Sequence, residues 1–440
     1  MHDIIDSGGN ELAHILQAIS PVDPKGRYLH WDKLRHLTPP EGLSSEQWWF
    51  RIKIARNNLY QKVPLINKTG ASFQFAIFDL ILRELHWLDR YAAGNIQSNE
   101  AITNSQTRNT YLIRSLIEEA INSSQLEGAS TTREVAKEMI RQSRQPKDKS
   151  EQMILNNYNA MRFIGEIKNE ALTPSIVFEL QTILTDNMLD ERKIGRFRTA
   201  NDNIYVVDER SQEYLHEPPL WNELPERMQR LCDFANSDSS IEGDGAFLHP
   251  AIKAIILHFM LAYDHPFCDG NGRTARALFY WAMARHGYWL MEFISISRVI
   301  KDAPAQYSKA YLYTETDDND LTYFLIHQME VIHKAVDALH QFLDQKMQDV
   351  KEAERMLMDN PRLKGRLNFR QLALLRHALE HPGFSYVVNE HQQSHGISYD
   401  IARKDLLEMA DTLGLLIKTK QGKRYYFVAP DDLEQRIARS

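Results

Sequence analysis

The sequence predicts a mainly α-helical protein with a small β-hairpin set into its middle and a C-terminal segment of a different kind. Three observations carry this. Helix-compatible runs bounded by capping and stop signals fill most of residues 72–356. One short β-branched and aromatic stretch near residue 205 interrupts them, and the tail closes on two short runs around a Lys420-Gln421-Gly422-Lys423 turn. At 440 residues the chain exceeds one ordinary core, so two or three domains are expected.

Taken in order, residues 1–70 carry turn signals (Pro21, Pro24, Gly26, Pro39, Pro40, Gly42) around apolar clusters such as Trp48, Trp49 and Phe50, which predicts an irregular helical cap. Residues 72–93 are apolar on more than one stripe and stop at Gly94-Asn95, so a buried helix is expected there. Helices are expected over about 110–120, from after Gly128 to about Arg144, over 151–168, and from Pro174 with Thr173 as its cap. A hairpin follows, with runs at 204–207 and 214–215. The next helix ends near Asn236, and the helix from His249 to Asp264 is apolar nearly all round, which places it at the domain centre. Another runs from about Gly272 to Gly287, and more follow from Ile300 to about Met356. Three further helices and a basic hairpin close the chain, an order that resembles a winged helix-turn-helix domain.

Composition excludes several classes. Hydrophobic content of 43% and charged content of 25% are those of a globular protein. A net charge of −7 gives no global pull toward nucleic acid or anionic lipid. Two cysteines, Cys232 and Cys268, lack metal-ligand spacing, and no apolar run reaches membrane-span length. A cytoplasmic protein without a membrane segment is expected.

Chemistry concentrates in HPFCDGNGRTAR, His265 to Arg276. Gly270, Asn271 and Gly272 stand where a helix begins, and the first backbone N–H groups of a helix form an anion site that glycines let a ligand approach closely. Arg273 and Arg276 share one face of the first turn, where cations oppose the helix dipole unless a polyphosphate answers them. Asp269 beside that site would repel phosphate, an objection that Mg²⁺ removes. His265 has the ordinary pKa of a general base near neutrality. A base, a metal and a bound nucleotide point to transfer of a phosphorus-centred group to a hydroxyl. The DGNG string also occurs in EF-hand loops, but Phe267 and Leu278 occupy the places of the first and last calcium ligands. No GxxxxGK[ST] sequence is present.

At these residues the chain resembles the Fic family, whose signature HPFx(D/E)GNGRxxR is matched throughout, with likeness over roughly residues 105–330. The resemblance implies a helical core that binds ATP and Mg²⁺ and transfers AMP to a protein hydroxyl, its own included, on serine, threonine or tyrosine. By resemblance, His265 is the base, Asp269 holds the metal, Gly270 to Gly272 form the anion hole, and Arg273 and Arg276 grip the phosphates. Gly272 matters because relatives that transfer a phosphate tend to carry lysine there. The pattern [S/T]xxxE[G/N] of the family's inhibitory helix fits Ser123 through Glu127 and Gly128, with Glu127 expected to pair with Arg276. A second occurrence near Glu242 has Asp238 in the serine position. The hairpin over 204–215 corresponds to the flap that aligns a target by strand addition. Tyr307 stands where relatives set a tyrosine against the nucleotide base, with Tyr311 as the alternative.

The expected divisions are an N-terminal helical region over 1–104, a Fic core with inhibitory helix over 105–345, a linker helix over 346–365 and a winged-helix domain over 366–440. Three alternatives stay open: DNA contact through the winged helix with the core as nucleotide sensor, removal of AMP or transfer of another nucleotide group such as UMP, and assembly as a homodimer.

Overall fold

The computed structural model describes residues 19–93, 105–207, 214–237, 247–358, 365–421 and 424–439. The sequence readings of residues 1–18, of the second inhibitory pattern near Glu242 and of Lys423 fall outside them. The chain divides into two compact units, each discontinuous in sequence: residues 1–94, 159–288 and 299–333, and residues 95–158, 289–298 and 334–440.

The first unit starts with two helices, α1 (Trp31–Leu34) and α2 (Ser45–Asn57), the latter opened by a reciprocal cap between Ser44 and Gln47. A hairpin follows, β1 (Tyr60–Ile66) with β2 (Ser72–Ala76), and only then the helix α3 (Asp79–Leu88). The single helix expected over 72–93 is therefore wrong in its first part. In SFQFA the residues alternate, with Phe73 and Phe75 buried, and β2 pairs with β1 on one side. On the other side Gln74 exchanges backbone hydrogen bonds with Asn319 and Leu321. Both partners are remote or across a turn, so a local count of apolar residues misses them.

Phe73 packs edge-on against Phe259 and Tyr263 of α9 (Pro250–Asp264), at 5.4 and 5.2 Å between ring centroids, which seats the hairpin on the central helix. Against α9 pack α8 (Leu224–Asn236) and α10 (Asn271–Arg285); α7 (Pro174–Thr185) packs on α8 and α10, and Trp281 of α10 donates to the carbonyl of Ile167 at the end of α6 (Lys149–Ile167). Thr173 accepts from the Ile176 N–H and Pro174 occupies the first turn of α7, as the sequence predicts. Nearly every residue of α9 is buried, which accounts for its lack of a polar face. α11 (Ile296–Asp302), α12 (Pro304–Thr316) and the long α13 (Thr322–Met358) follow. The expected hairpin forms from β3 (Val206–Val207) and β4 (Tyr214–His216).

The second unit contains α4 (Ser105–Leu126) and α5 (Arg133–Arg141), the latter capped by Thr132. It ends in α14 (Phe369–Glu380), β5 (Ser385–Tyr386), α15 (Val388–His395), α16 (Tyr399–Leu407), β6 (Ile417–Gln421), β7 (Arg424–Val428) and α17 (Leu433–Arg439). The strands form one antiparallel sheet in the order β5-β7-β6 over a core that includes Leu374, Leu406, Leu415 and Phe427. Asp405 on α16 turns inward. Although burial pushes the other way, hydrogen bonds from His391, Arg370 and Asn368 hold its carboxyl well below the usual carboxylate range.

A buried ion pair closes α9. Arg227 of α8 reaches the Asp264 carboxylate at 2.7 Å and also donates to the carbonyls of Ile66 and Asn67. Burial pushes Asp264 up to about 6 even with Arg227 beside it. Replacing Arg227 with methionine would leave that carboxylate buried and unpaired, a loss of about 3–5 kcal/mol. Arg227 lowers the Asp264 value, so without it the raised carboxyl takes up a proton more readily, and more completely at pH 5 than at pH 7.5. The R227M loss, read as a urea midpoint, is accordingly expected to be smaller at pH 5 than at pH 7.5.

Candidate active site

The site lies where α9 ends and α10 begins, wholly within the first unit. His265 is the C-terminal cap of α9, in the left-handed region at φ 45°. A histidine bears that conformation with some strain, and its occurrence beside a reactive loop is a mark of function. Its Nδ1 lies 3.3 Å from the Ala262 carbonyl. Donation there places the lone pair on Nε2, the tautomer that a base pointing away from α9 requires.

Two devices hold the loop. The Asn271 side chain accepts from the Phe267 N–H and donates to the Phe267 carbonyl, both at 2.9 Å, and so closes the turn on itself. Thr274 donates to the Gly270 carbonyl through both its N–H and its hydroxyl, each at 2.8 Å, which fixes the first turn of α10. Gly270 has φ 84°, and a Cβ there would approach the Thr185 methyl to 3.2 Å. Glycine is required at that position on both counts. Gly272 is half-buried.

The charged residues of the motif differ in setting. Arg273 is fully buried. It donates from Nη1 to the Leu184 carbonyl at 2.8 Å and from Nη2 to Asp269 at 3.2 Å, and its Nε has no hydrogen-bond partner. Arg276 is also buried, at 2% exposure, and its charge is felt at His258. Asp269 receives the Gly270 N–H at 2.6 Å and keeps 39% of its side chain exposed, so its oxygens remain reachable from solvent. No cluster of three or more potential metal ligands occurs among the described residues. A divalent ion at Asp269 would therefore depend on ligand oxygens for most of its shell, which suits Mg²⁺.

Sequence reasoning missed Arg198. Its Nε donates to the His265 carbonyl at 2.8 Å, and its Nη2 donates to Pro219 at 2.5 Å and to Asp264 at 3.3 Å. Its own N–H bonds the Pro266 carbonyl at 2.8 Å. One guanidinium thus collects the carbonyls that a helix C-terminus leaves unpaired. Nothing local in FRTAND distinguishes this arginine from a surface one. His216 of β4 was also missed: it binds the Tyr263 carbonyl at 2.7 Å and Glu315 at 2.8 Å, and so ties the hairpin to the end of α9.

Tyr307, on α12, lies with its hydroxyl 2.8 Å from His258 Nε2 and 3.1 Å from the Tyr311 hydroxyl. The inhibitory pattern belongs to the second unit. Ser123 is buried in the last turn of α4, Glu127 is half-buried just beyond it, and Gly128 at φ 91° ends the helix. The bonds Gly128 N–H to Gln125 O and Ala129 N–H to Ser124 O complete that stop.

These features define a helical domain whose reactive loop opens a helix, and comparison with known proteins identifies it. Residues 171–283 match the family model described as Fic/DOC family. The chain carries a Fic domain. Over 120 residues it is 34% identical to the protein adenylyltransferase Fic of Drosophila willistoni, covering 27% of this chain and 22% of that protein. The protein of the same name from Nematostella vectensis is 29% identical over 138 residues, 31% of this chain and 29% of that one. The chain thus spans roughly a quarter of the length of these relatives. Among solved structures, a Fic family protein from Desulfovibrio desulfuricans G20 aligns with 80% of this chain and 97% of its own at 19% identity and TM-score 0.49. Fic-1 from C. elegans aligns with 61% of this chain and 72% of its own at 22% identity and TM-score 0.43.

Arg198 yields a check that does not depend on activity. R198M is expected to leave the carbonyls at the end of α9 unpaired, each at about 1–3 kcal/mol. Amide hydrogen exchange over residues 265–270 should then quicken while exchange over 251–260 stays at the wild-type rate.

Proposed function

We propose that the protein is a protein adenylyltransferase, which moves AMP from Mg-ATP to a hydroxyl of a protein side chain and releases pyrophosphate. The observation that carries this is the placement of His265: a base with its Nε2 lone pair set by the Ala262 contact, at the mouth of an unbroken HPFCDGNGRTAR loop that starts α10. In this reading His265 Nε2 takes the proton of the target hydroxyl. The freed oxygen attacks the α-phosphorus, and the bond from that phosphorus to the bridging oxygen breaks. The N–H groups of Gly270 to Gly272, the N-terminus of α10 and Arg276 face the developing charge. Arg273, pinned by Leu184 and Asp269, adds charge from a fixed position. Asp269 would hold Mg²⁺, which when bound neutralises phosphate charge and orients the leaving group. Tyr214, 75% exposed on β4, supports a flap that receives an extended target segment.

Regulation is part of the same reading. The pattern from Ser123 to Gly128 at the end of α4 supports Glu127 as the inhibitory carboxylate. H265A is expected to reduce transfer of label from α-labelled ATP by at least a thousandfold, and E127G to raise it tenfold or more. Unchanged labelling in both variants would count against the proposal. Competition by unlabelled UTP or GTP in the same assay tells AMP transfer from transfer of another nucleotide group.

A second reading, DNA contact by the C-terminal helices and hairpin arranged as a winged helix, is favoured by one observation. Of the four acidic residues from 400 to 411, Asp405 faces inward, Glu408 accepts from Gln371 at 3.0 Å and Asp411 pairs with Lys418. Arg403 and Lys404 stand exposed on α16, and of those four acidic residues that leaves the exposed Asp400 beside them. Duplex DNA affinity of the whole chain is expected to fall steeply between 50 and 200 mM salt, and affinity indifferent to salt would exclude phosphate contacts.

A further inference from the structure

His258 stands seven residues ahead of His265 on α9, two turns away on the same face, at 0% exposure. The rings of Phe279, Tyr307 and Phe324 surround it. Among so many aromatic side chains an apolar residue would pack as well, and a buried polar group without full pairing is a cost. The histidine is therefore there for its nitrogens.

Those nitrogens are unequal. Nε2 lies 2.8 Å from the Tyr307 hydroxyl, whereas Nδ1 is buried with no hydrogen-bond partner. Burial, together with the charges of Arg276 and His327, holds the ring well below the usual histidine range, so it is neutral and carries one proton. A proton on Nδ1 would be a buried N–H without an acceptor, which proteins rarely tolerate, while an unpaired lone pair is the smaller cost. The proton accordingly sits on Nε2 and is donated to the Tyr307 oxygen. The Tyr311 hydroxyl stands 3.1 Å from that of Tyr307.

We infer that His258 is a positioning residue for the nucleotide: by donating from Nε2 it fixes the half-buried Tyr307 ring at the base-binding side of the site and so sets affinity for ATP. This rests on the nucleotide reading given above and on the resemblance that sets Tyr307 against the base. The role belongs to one nitrogen, and that makes it separable from packing. A glutamine amide nitrogen reaches about where Nε2 stands, and an asparagine amide nitrogen only about where Nδ1 stands.

The experiment measures ATP dissociation constants, with magnesium, for the full chain and for H258Q, H258N, Y307F and the double variant H258N/Y307F. H258Q is expected to stay within about twofold of wild type. H258N and Y307F are each expected to weaken ATP about threefold to tenfold, the weight of one hydrogen bond, and the double variant no further. Equal effects of H258Q and H258N, multiplying effects in the double variant, or wild-type affinity in H258N would each overturn the inference. If H258N does not fold, H258Q with Y307F still decides, since the first must hold affinity and the second lose it. A wild-type chain that binds no ATP would instead overturn the nucleotide reading itself.

Discussion

The end of α9 has to stop at one place, with carbonyls left over, and Arg198 answers those of Asp264 and His265 while His216 takes that of Tyr263 and the His265 ring that of Ala262. A helix C-terminus carries partial negative charge, which is the wrong sign for a phosphate site. The guanidinium of Arg198 binds the carbonyls of Asp264 and His265, and its backbone N–H binds that of Pro266, so that part of this charge is taken up. The chain can then reverse through Phe267 and Asn271 and present the opposite pole, the N-terminus of α10. His265 is left-handed because the reversal happens at that residue.

The same constraint accounts for the cations. Arg273 lies in the first turn of α10 and Arg276 in the second, near the end where the dipole disfavours cations, yet both are buried rather than swung out to solvent. Burying two guanidinium groups beside a helix N-terminus produces a field aimed at an anion. Asp269, pinned through Gly270 and Arg273, moderates that field and keeps part of its carboxylate exposed to solvent. Farther along α9, the neutral His258 avoids adding a third charge to the cluster while fixing the hydroxyl of Tyr307.

What the sequence disclosed was whatever is local. The cap at Thr173, the hairpin around residue 205, the unbroken apolar character of α9 and the helix start at the GNGR string are decided by neighbours in the chain, and they stand where the periodicity and the capping residue put them. What it withheld was whatever depends on distant partners. β2 is a strand because β1 and the turn at 319–321 flank it, and no count of apolar residues in SFQFAIFDL contains that information. Arg198 and His216 act on the end of α9 from 67 and 47 positions away. Nothing in the chain near Asp405 on α16, or near Asp411 just beyond it, announces their partners Arg370 and Lys418.

The proposed adenylyltransferase activity turns on which part of ATP is transferred. Parallel reactions of the E127G chain with ATP labelled at the α-phosphate and at the γ-phosphate measure this directly. The geometry from His265 to Arg276, with glycine at position 272, predicts protein-bound label from the α-position alone, with the γ-label released as pyrophosphate. Protein-bound label from the γ-position would mean that the loop transfers phosphate, and would contradict the roles given to His265 and Gly272.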